Sequence, residues 1–382
     1  MLKPSFRALP PLLLGLAALL AQAAPPAVVP DPPRLQAKSW ILEDFHSGRV
    51  LAAHGPDTRI EPASMTKMMT VYVALHEIHA GRLRLDDRVT VSEKAWRTPG
   101  SRMFIEVGRQ VTVKALLDGI IVVSGNDASV ALAEHIAGSE ETFAGLMNRY
   151  AAELGMRNTR FANATGLPHR NHYTTVADLA KLARALIREF PEEYRWHAIR
   201  KFTWNGITQY NRNRLLWRDP SVDGIKTGHT ESAGYCLAAS AERDGMRLIA
   251  IVAGTKGEEA RARAAQALLN YGFRFYETRR LYGAGEALAR PRVWFGAAGE
   301  VPAGLERDLY VTFPRGHYGR LEASLALPPR LEAPIAKGRR LGSVRVRFAG
   351  EPLAEAPVVA LEAVPEGSLW QRLRDRVLLW FE

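Results

Sequence analysis

The chain has 382 residues, of which 47% are hydrophobic and 24% are charged. This length and composition exclude a wholly disordered or collagen-like protein and allow one large or two medium-sized packed domains. Lysine and arginine outnumber aspartate and glutamate by 51 to 40, which gives a net charge of +11. Such a charge is typical of proteins that bind nucleic acid, an anionic membrane surface or an anionic polymer. The single cysteine, Cys236, excludes an intramolecular disulfide and a cysteine-based zinc cluster.

The first 23 residues have the pattern of a secretory signal peptide. Lys3 and Arg7 precede a short apolar run at residues 12–20, and the small-x-small triplet Ala21-Gln22-Ala23 follows it. The alternative is an uncleaved membrane anchor, but the run is shorter than the roughly 20 apolar residues that span a bilayer. We therefore expect cleavage after Ala23 and export, which argues against nucleic acid as a partner.

The next segment predicts one α/β (α+β) domain over residues 24–280. Two hairpin patterns, at residues 39–53 and 235–254, enclose a mostly helical segment, and a further helix is predicted at residues 258–272. Strands early and late in the domain, with helices between them, predict a single antiparallel sheet built from both ends of the domain.

After residue 276 the pattern changes to short alternating runs, which predict a small all-β domain over residues 281–364. The last segment, residues 365–382, is predicted to form an amphipathic helix. Its apolar side chains fall within about 120° of arc; they are Leu369, Trp370, Leu373, Val377, Trp380 and Phe381. Tryptophans flanked by arginines favour a membrane surface. The alternative is a terminal helix that packs on its own β domain.

The first candidate chemical motif is Ser64-Met65-Thr66-Lys67, at the start of an apolar helical stretch. Ser64 and Lys67 are at positions i and i+3 and share a helix face, so the amine can reach the hydroxyl. Backbone N–H groups at a helix start can also stabilise an oxyanion. Taken alone, a capping Ser64 and a solvated Lys67 are the better interpretation, because such a pattern arises about once by chance in this chain.

Two further motifs change that interpretation. Ser124-Gly125-Asn126 interrupts two helical stretches, and Lys226-Thr227-Gly228 lies on or beside the first late strand. Ser-x-x-Lys, Ser-x-Asn and Lys-Thr-Gly in this order are typical of penicilloyl-serine transferases. With residues 163–168 and 222–230, the chain from about residue 35 to 382 resembles low-molecular-mass penicillin-binding proteins, which are D-alanyl-D-alanine carboxypeptidases. The resemblance implies a serine β-lactamase/DD-peptidase-like catalytic domain, a small β domain and a terminal helix.

The resemblance also implies a role for each motif residue. Ser64 is expected to be the nucleophile, Lys67 its base, and Ser124 the group that passes a proton to the leaving amine. Lys67 must be neutral to act as a base, and we expect burial and the second cation, Lys226, to favour that state. The implied substrate-binding residues are Asn126, Arg212, Lys226, Thr227 and His229, with the backbone N–H groups of Ser64 and His229 forming an oxyanion hole.

The implied activity is removal of the terminal D-alanine from peptidoglycan stem pentapeptides through an acyl-enzyme on Ser64, with β-lactams acylating the same serine. No cofactor or metal is expected. We expect the protein at the periplasmic face of the inner membrane, held on the anionic surface by the terminal helix.

Three alternatives stay open at this point. A class A β-lactamase hydrolyses its acyl-enzyme with a glutamate, yet residues 157–172 contain no carboxylate. A D,D-endopeptidase would share the three motifs, and a non-catalytic wall or membrane scaffold would carry a defect that the motifs do not reveal. Residues 97–104 resemble the loop that borders the active site in these carboxypeptidases, but suit an ordinary connection equally well.

Overall fold

The computed structural model describes residues 29–381, so the predicted signal peptide lies outside the described residues. The strands of the larger part are β1 Ser39–Asp44, β2 Val50–His54, β3 Arg88–Thr90, β4 Gln110–Thr112, β5 Lys201–Trp204, β6 Ile207–Tyr210, β7 Val222–Thr230, β8 Gly234–Arg243 and β9 Met246–Thr255. Its helices are α1 Lys67–His79, α2 Glu93–Arg97, α3 Val113–Val122, α4 Asn126–Ala137, α5 Glu140–Glu153, α6 Val176–Glu189, α7 Pro191–Tyr194, α8 Leu215–Arg218 and α9 Glu258–Phe275.

The remaining elements are mostly short strands. They are β10 Tyr276–Tyr282, β11 Ala287–Ala289, β12 Val293–Trp294, β13 Ala303–Gly304, β14 Leu309–Pro314, β15 Leu321–Ala326, β16 Leu331–Glu332, β17 Arg340–Phe348, β18 Glu351–Ala360 and a final helix, α10 Leu369–Leu378. No helix within residues 29–381 is long and apolar enough to cross a membrane.

The main sheet has five antiparallel strands in the order β2-β1-β9-β8-β7. β1 and β9 are hydrogen-bonded neighbours, so the predicted sheet built from both ends of the domain is confirmed. Six consecutive residues of β8 and of β9 are buried, which means that both faces of the sheet are covered. α9 packs against β8 and β9, and α6 packs against β9.

The helical segment places two of the motifs at helix starts. A 3-10 helix, Ala63–Thr66, leads directly into α1, which is buried along most of its length. α3 and α4 are separated by Val123, Ser124 and Gly125, and Ser124 has a left-handed φ of 61°. α4 begins at Asn126, so Asn126 lies in the first turn of a helix.

The β-rich part has its own sheet, in the order β11-β13-β18-β17-β15, and its own cluster of buried apolar residues. Buried polar contacts join it to the larger part. Asp44 of β1 accepts a hydrogen bond from Thr278 Oγ1 at 2.7 Å, and the hydroxyls of Ser47 and Thr312 lie 2.6 Å apart. The alternating apolar pattern correctly predicts a strand at β15, but this strand lies at the sheet edge and is largely exposed.

α10 is attached to the β-rich part through polar groups. The carboxylate of buried Asp375 accepts a hydrogen bond from the Phe295 N–H at 2.8 Å, and Gly367 N–H donates to the Phe295 carbonyl at 2.8 Å. Ser368 and Gln371 form a capping box at the helix start. The predicted apolar face points away from this attachment, since Trp370 is 80% exposed and Trp380 is 85% exposed.

Candidate active site

Ser64 and Lys67 lie where the 3-10 helix meets α1, and their side chains are in hydrogen-bond contact. Lys67 Nζ lies 3.1 Å from Ser64 Oγ. Ser64 is half-buried at the edge of a cavity, whereas Lys67 is completely buried behind it. A solvated lysine is therefore excluded, and the i, i+3 spacing brings the two groups together as predicted.

The other two contacts of Lys67 are carbonyl oxygens. Asn126 Oδ1 and the Thr165 backbone oxygen each accept a hydrogen bond from Nζ at 2.6 Å. A carbonyl oxygen can only accept, so these two contacts use both N–H bonds of a neutral amine. The lone pair of that amine is left facing the Ser64 hydroxyl, which is the arrangement a general base requires.

The environment of Lys67 favours this neutral form. Burial, which is the largest cause, and the positive charge of Arg212 together lower the pKa of Lys67 to about 7, while the charges of Asp127 and Glu140 act in the opposite direction. Burial thus has the role that the sequence argument assigned to it. Arg212 is a further cation that the sequence argument did not assign to this role, and the charges of Lys67 and Lys226 also oppose each other.

Ser124 and Lys226 form a second serine–lysine contact in the same site. Lys226, on β7, donates hydrogen bonds to Ser124 Oγ at 3.0 Å and to the Thr227 carbonyl at 2.9 Å. Burial holds the pKa of Lys226 well below its ordinary value, and the charges of Lys67 and Arg212 add to the effect. The left-handed backbone of Ser124 is the kind of local strain that is retained where surrounding contacts enforce it.

The candidate site is a cavity of about 410 Å³ between the helical segment and the edge strand β7. Six of the eight residues named from the sequence line it: Ser64, Ser124, Asn126, Arg212, Thr227 and His229. Lys67 and Lys226 are buried and contact Ser64 and Ser124 from behind. The eight residues come from four separate segments of the chain, and the fold brings these segments together at one cavity.

Two arginines line the cavity. Arg212 donates a hydrogen bond to Ser101 Oγ at 2.7 Å, and Gly100 and Ser101 line the cavity beside it. The segment 97–104 therefore borders the site. Sequence reasoning missed Arg261, which lies on α9, lines the cavity and donates a hydrogen bond to the Gly228 carbonyl at 3.2 Å.

Gly166 fixes the distance between the Thr165 loop and the Ser64 segment. It has a φ of +86°, and a Cβ added at this position would lie 1.8 Å from the Ala63 backbone oxygen. Only glycine allows this approach, which positions the Thr165 carbonyl on Lys67. Within residues 29–381 no group of three or more histidine, cysteine, aspartate or glutamate side chains is arranged to hold a metal ion.

Fold and cavity together define a serine hydrolase in which a buried lysine lies against the nucleophilic hydroxyl. Residues 26–257 match the family model of D-alanyl-D-alanine carboxypeptidases, and residues 276–366 match that of the penicillin-binding protein 5 C-terminal domain. The chain belongs to the D-alanyl-D-alanine carboxypeptidase family.

Proteins of known sequence and structure resemble most of the chain. It is 42% identical to D-alanyl-D-alanine carboxypeptidase DacA of Escherichia coli K12, covering 93% of this chain and 90% of that protein. It is 43% identical to DacC of the same organism, covering 92% and 90%. The crystal structure of penicillin binding protein 5 from Haemophilus influenzae superposes with a TM-score of 0.85 at 40% identity, covering 88% of this chain and 99% of that one.

Proposed function

We propose that this chain removes the terminal D-alanine from peptidoglycan stem pentapeptides through an acyl-enzyme on Ser64. The observation that carries the proposal is the position of the buried Lys67 amine, which two carbonyl oxygens hold at 3.1 Å from Ser64 Oγ. A free serine hydroxyl is a weak nucleophile and needs such an adjacent base.

Acylation follows from the contacts around the two serines. Ser64 Oγ attacks the carbonyl of the penultimate D-alanine and its proton passes to Lys67. The backbone N–H groups of Ser64 and His229 stabilise the oxyanion. Ser124, which Lys226 orients at 3.0 Å, then donates its proton to the leaving amine as the C–N bond breaks and D-alanine departs, and the proton that Lys67 took from Ser64 returns to Ser124.

Binding of the leaving D-alanine requires groups that recognise its free carboxylate. Arg212 and Thr227 line the cavity, and Arg261 contributes a second guanidinium there. An arginine–carboxylate contact is charge-assisted and stronger than a neutral hydrogen bond. We therefore assign these side chains to the C-terminal carboxylate, and Asn126 to both Lys67 and the substrate amide.

Deacylation completes the cycle when water attacks the ester and regenerates Ser64. A β-lactam forms the same kind of ester with Ser64. Its amide is part of a ring, so the amine stays attached to the acyl group and does not leave the site. The stretch 157–172, which includes the loop against Lys67, contains no carboxylate to activate water. We therefore expect a slowly hydrolysed penicilloyl-enzyme rather than β-lactamase turnover.

The test combines adduct mass with product release. Benzylpenicillin should add one penicilloyl group to Ser64, and the protein should release D-alanine from a pentapeptide that ends in D-Ala-D-Ala. Ser64→Ala should abolish both, whereas Ser324→Ala, on the exposed strand β15, should change neither. Rapid nitrocefin turnover would indicate a β-lactamase, and cleavage of crosslinked dimers in preference to pentapeptide an endopeptidase. Cell-wall function that persists in Ser64→Ala would indicate a scaffold.

We further propose that α10 holds the protein on the periplasmic face of the inner membrane. Its polar side is attached to the β-rich part through Asp375, while Trp370, Leu373 and Trp380 are exposed. Such an uncovered apolar face is costly in water and suits the bilayer interface. Removal of residues 367–382 should leave penicillin acylation intact and abolish sedimentation with anionic vesicles; a truncated protein that still sediments would contradict the proposal.

A further inference from the structure

A second cavity, which we call the basic groove, lies beside the active site. It has a volume of about 510 Å³, and its most distinctive lining residues are Lys38, Arg59, Arg170 and Tyr173. The proposed reaction gives it no role. Its lining includes three basic side chains, and one of them, Arg59, lies over the Tyr173 ring; this composition favours a site for an anionic group.

The walls of the basic groove continue directly from those of the catalytic cavity. Leu167 lines the catalytic cavity, and the next residue, Pro168, lines the groove. Likewise, Thr230 lines the catalytic cavity and Ser232 lines the groove. Gly100, Ser101 and Arg212, at the leaving-group end, have no chain neighbours in the groove. A peptide whose C-terminal carboxylate lies at Arg212 therefore extends its other end past Leu167 and Thr230 into the groove.

The cations of the basic groove are available to a ligand. Within residues 29–381, Lys38, Arg59 and Arg170 form no ion pair with a carboxylate. The carboxylate of Glu61, which also lines the groove, accepts a hydrogen bond from Ser232 Oγ at 2.6 Å. The Arg59 guanidinium stacks on the Tyr173 ring at 4.4 Å, so its position is held while its N–H groups remain free to bind.

The groove is preorganised and is linked to the catalytic residues. Ile60 and Thr174 exchange two backbone hydrogen bonds of 2.9 Å, which fixes Arg59 next to Tyr173. His172 lies beneath the groove, where its Nδ1 accepts a hydrogen bond from a backbone N–H and its Nε2 therefore donates to Thr66 Oγ1 at 2.8 Å. Burial lowers the pKa of His172 to about 4, which keeps this link in its neutral form.

We propose that the basic groove binds a free carboxylate on the acyl-donor part of the stem peptide, the part that stays attached to Ser64. The proposal rests on the proposed carboxypeptidase function. Such a carboxylate has two possible sources: the α-carboxylate of a γ-linked D-glutamate and the side-chain carboxylate of a diaminopimelate third residue. Binding it would raise the affinity for wall peptides over short D-Ala-D-Ala peptides without changing the chemistry at Ser64.

The test uses the double variant Arg59→Gln/Arg170→Gln and four peptides that end in D-Ala-D-Ala. One peptide carries both carboxylates, two carry a carboxamide at one position each, and the fourth is a short diacylated tripeptide with neither. The variant should raise KM for the full peptide about tenfold with kcat unchanged, and should leave the short tripeptide unaffected. For one of the two carboxamide peptides, KM should be the same with the double variant as with the wild type. The position of the carboxamide in that peptide identifies the carboxylate that the groove binds.

Controls separate this proposal from a general loss of charge or of function. Arg347→Gln, an exposed arginine on β17, should have no effect, and Arg59→Lys/Arg170→Lys should restore most of the affinity. Equal effects on the full and the short peptide would overturn the proposal, even with normal penicillin acylation of Ser64. Failure of the wild-type protein to release D-alanine from any peptide would instead refute the carboxypeptidase function on which it rests.

Discussion

The neutral state of Lys67 makes the pH dependence of acylation a sensitive test of the site. Lowering the pKa of this lysine from 10.5 to about 7 corresponds to about 5 kcal/mol at 1.36 kcal/mol per pH unit. At pH 7 about half of the amines are then neutral, roughly a thousandfold more than for an ordinary lysine. Because only the neutral amine accepts the serine proton, acylation should fall about tenfold per pH unit below 7 and level off above about pH 8.

The decisive perturbation is Arg212→Gln. The positive charge of Arg212 lowers the pKa of Lys67, so its removal should raise that pKa and move the midpoint of the profile to higher pH. The assay is the second-order rate constant of acylation by a fluorescent penicillin between pH 5 and 9. Weaker carboxylate binding will lower the whole curve, but a change in affinity alone does not displace its midpoint.

Two matched variants complete this experiment. Arg212→Lys keeps the positive charge and should retain a midpoint close to that of the wild type. Arg214→Gln removes a neighbouring arginine that pairs with Glu258, and it should leave the midpoint in place. A midpoint that stays fixed or moves to lower pH in Arg212→Gln would refute this account of Lys67.

Three further predictions concern individual residues. Gly166→Ala should slow acylation at least tenfold with little loss of helical circular dichroism, because its Cβ would collide with the Ala63 oxygen. Burial raises the pKa of Glu43 to about 7. The native state therefore binds this proton more tightly than the unfolded state does, and it loses stability as the pH rises from 4.5 to 7. Glu43→Gln should accordingly raise Tm at pH 8 and change it little at pH 5. Asp375→Ala leaves the Phe295 N–H without its acceptor, and should expose α10 to faster trypsin cleavage at unchanged acylation.

Each of these predictions has a contrary outcome that can be measured. Gly145→Ala, in the middle of α5 with no atom near the added Cβ, is the matched control for the first and should keep full activity. A lower Tm of Glu43→Gln at pH 8 would show that the contact with Arg184 outweighs the cost of burying the charge. Trypsin cleavage at the wild-type rate in Asp375→Ala would show that other contacts hold α10.

The sequence predicted which residues meet at the site better than how the cavity encloses them. Ser64 and Lys67 are a local pair whose i, i+3 spacing already determines their approach. The contact between Lys226 and Ser124 depends on how β7 packs against the helical segment, and no local spacing in the sequence predicts that packing. Arg261 lies 33 positions after Gly228 in a helix whose pattern indicates only packing, and nothing in that pattern marks it as a cavity residue.

The short strands and the backbone strain were beyond the reach of sequence patterns. β3–β4 and β5–β6 are two-stranded antiparallel sheets of three- and four-residue strands, and an alternation over so few residues is too short to predict a strand. β15 has the alternation of a strand with one buried face, but it lies at an edge where few side chains are covered. The left-handed backbone of Ser124 depends on tertiary contacts, since nothing local favours it in a serine.

The pairing of β1 with β9 also has a consequence for the nascent protein. The nucleophile segment is synthesised early, whereas its neighbours on β7 to β9 follow more than 150 residues later. Until those strands join, Lys67 is hydrated and protonated, and Ser64 has no base. The chain is therefore unreactive until it folds, and covalent labelling by penicillin should report completed folding rather than the mere presence of the chain.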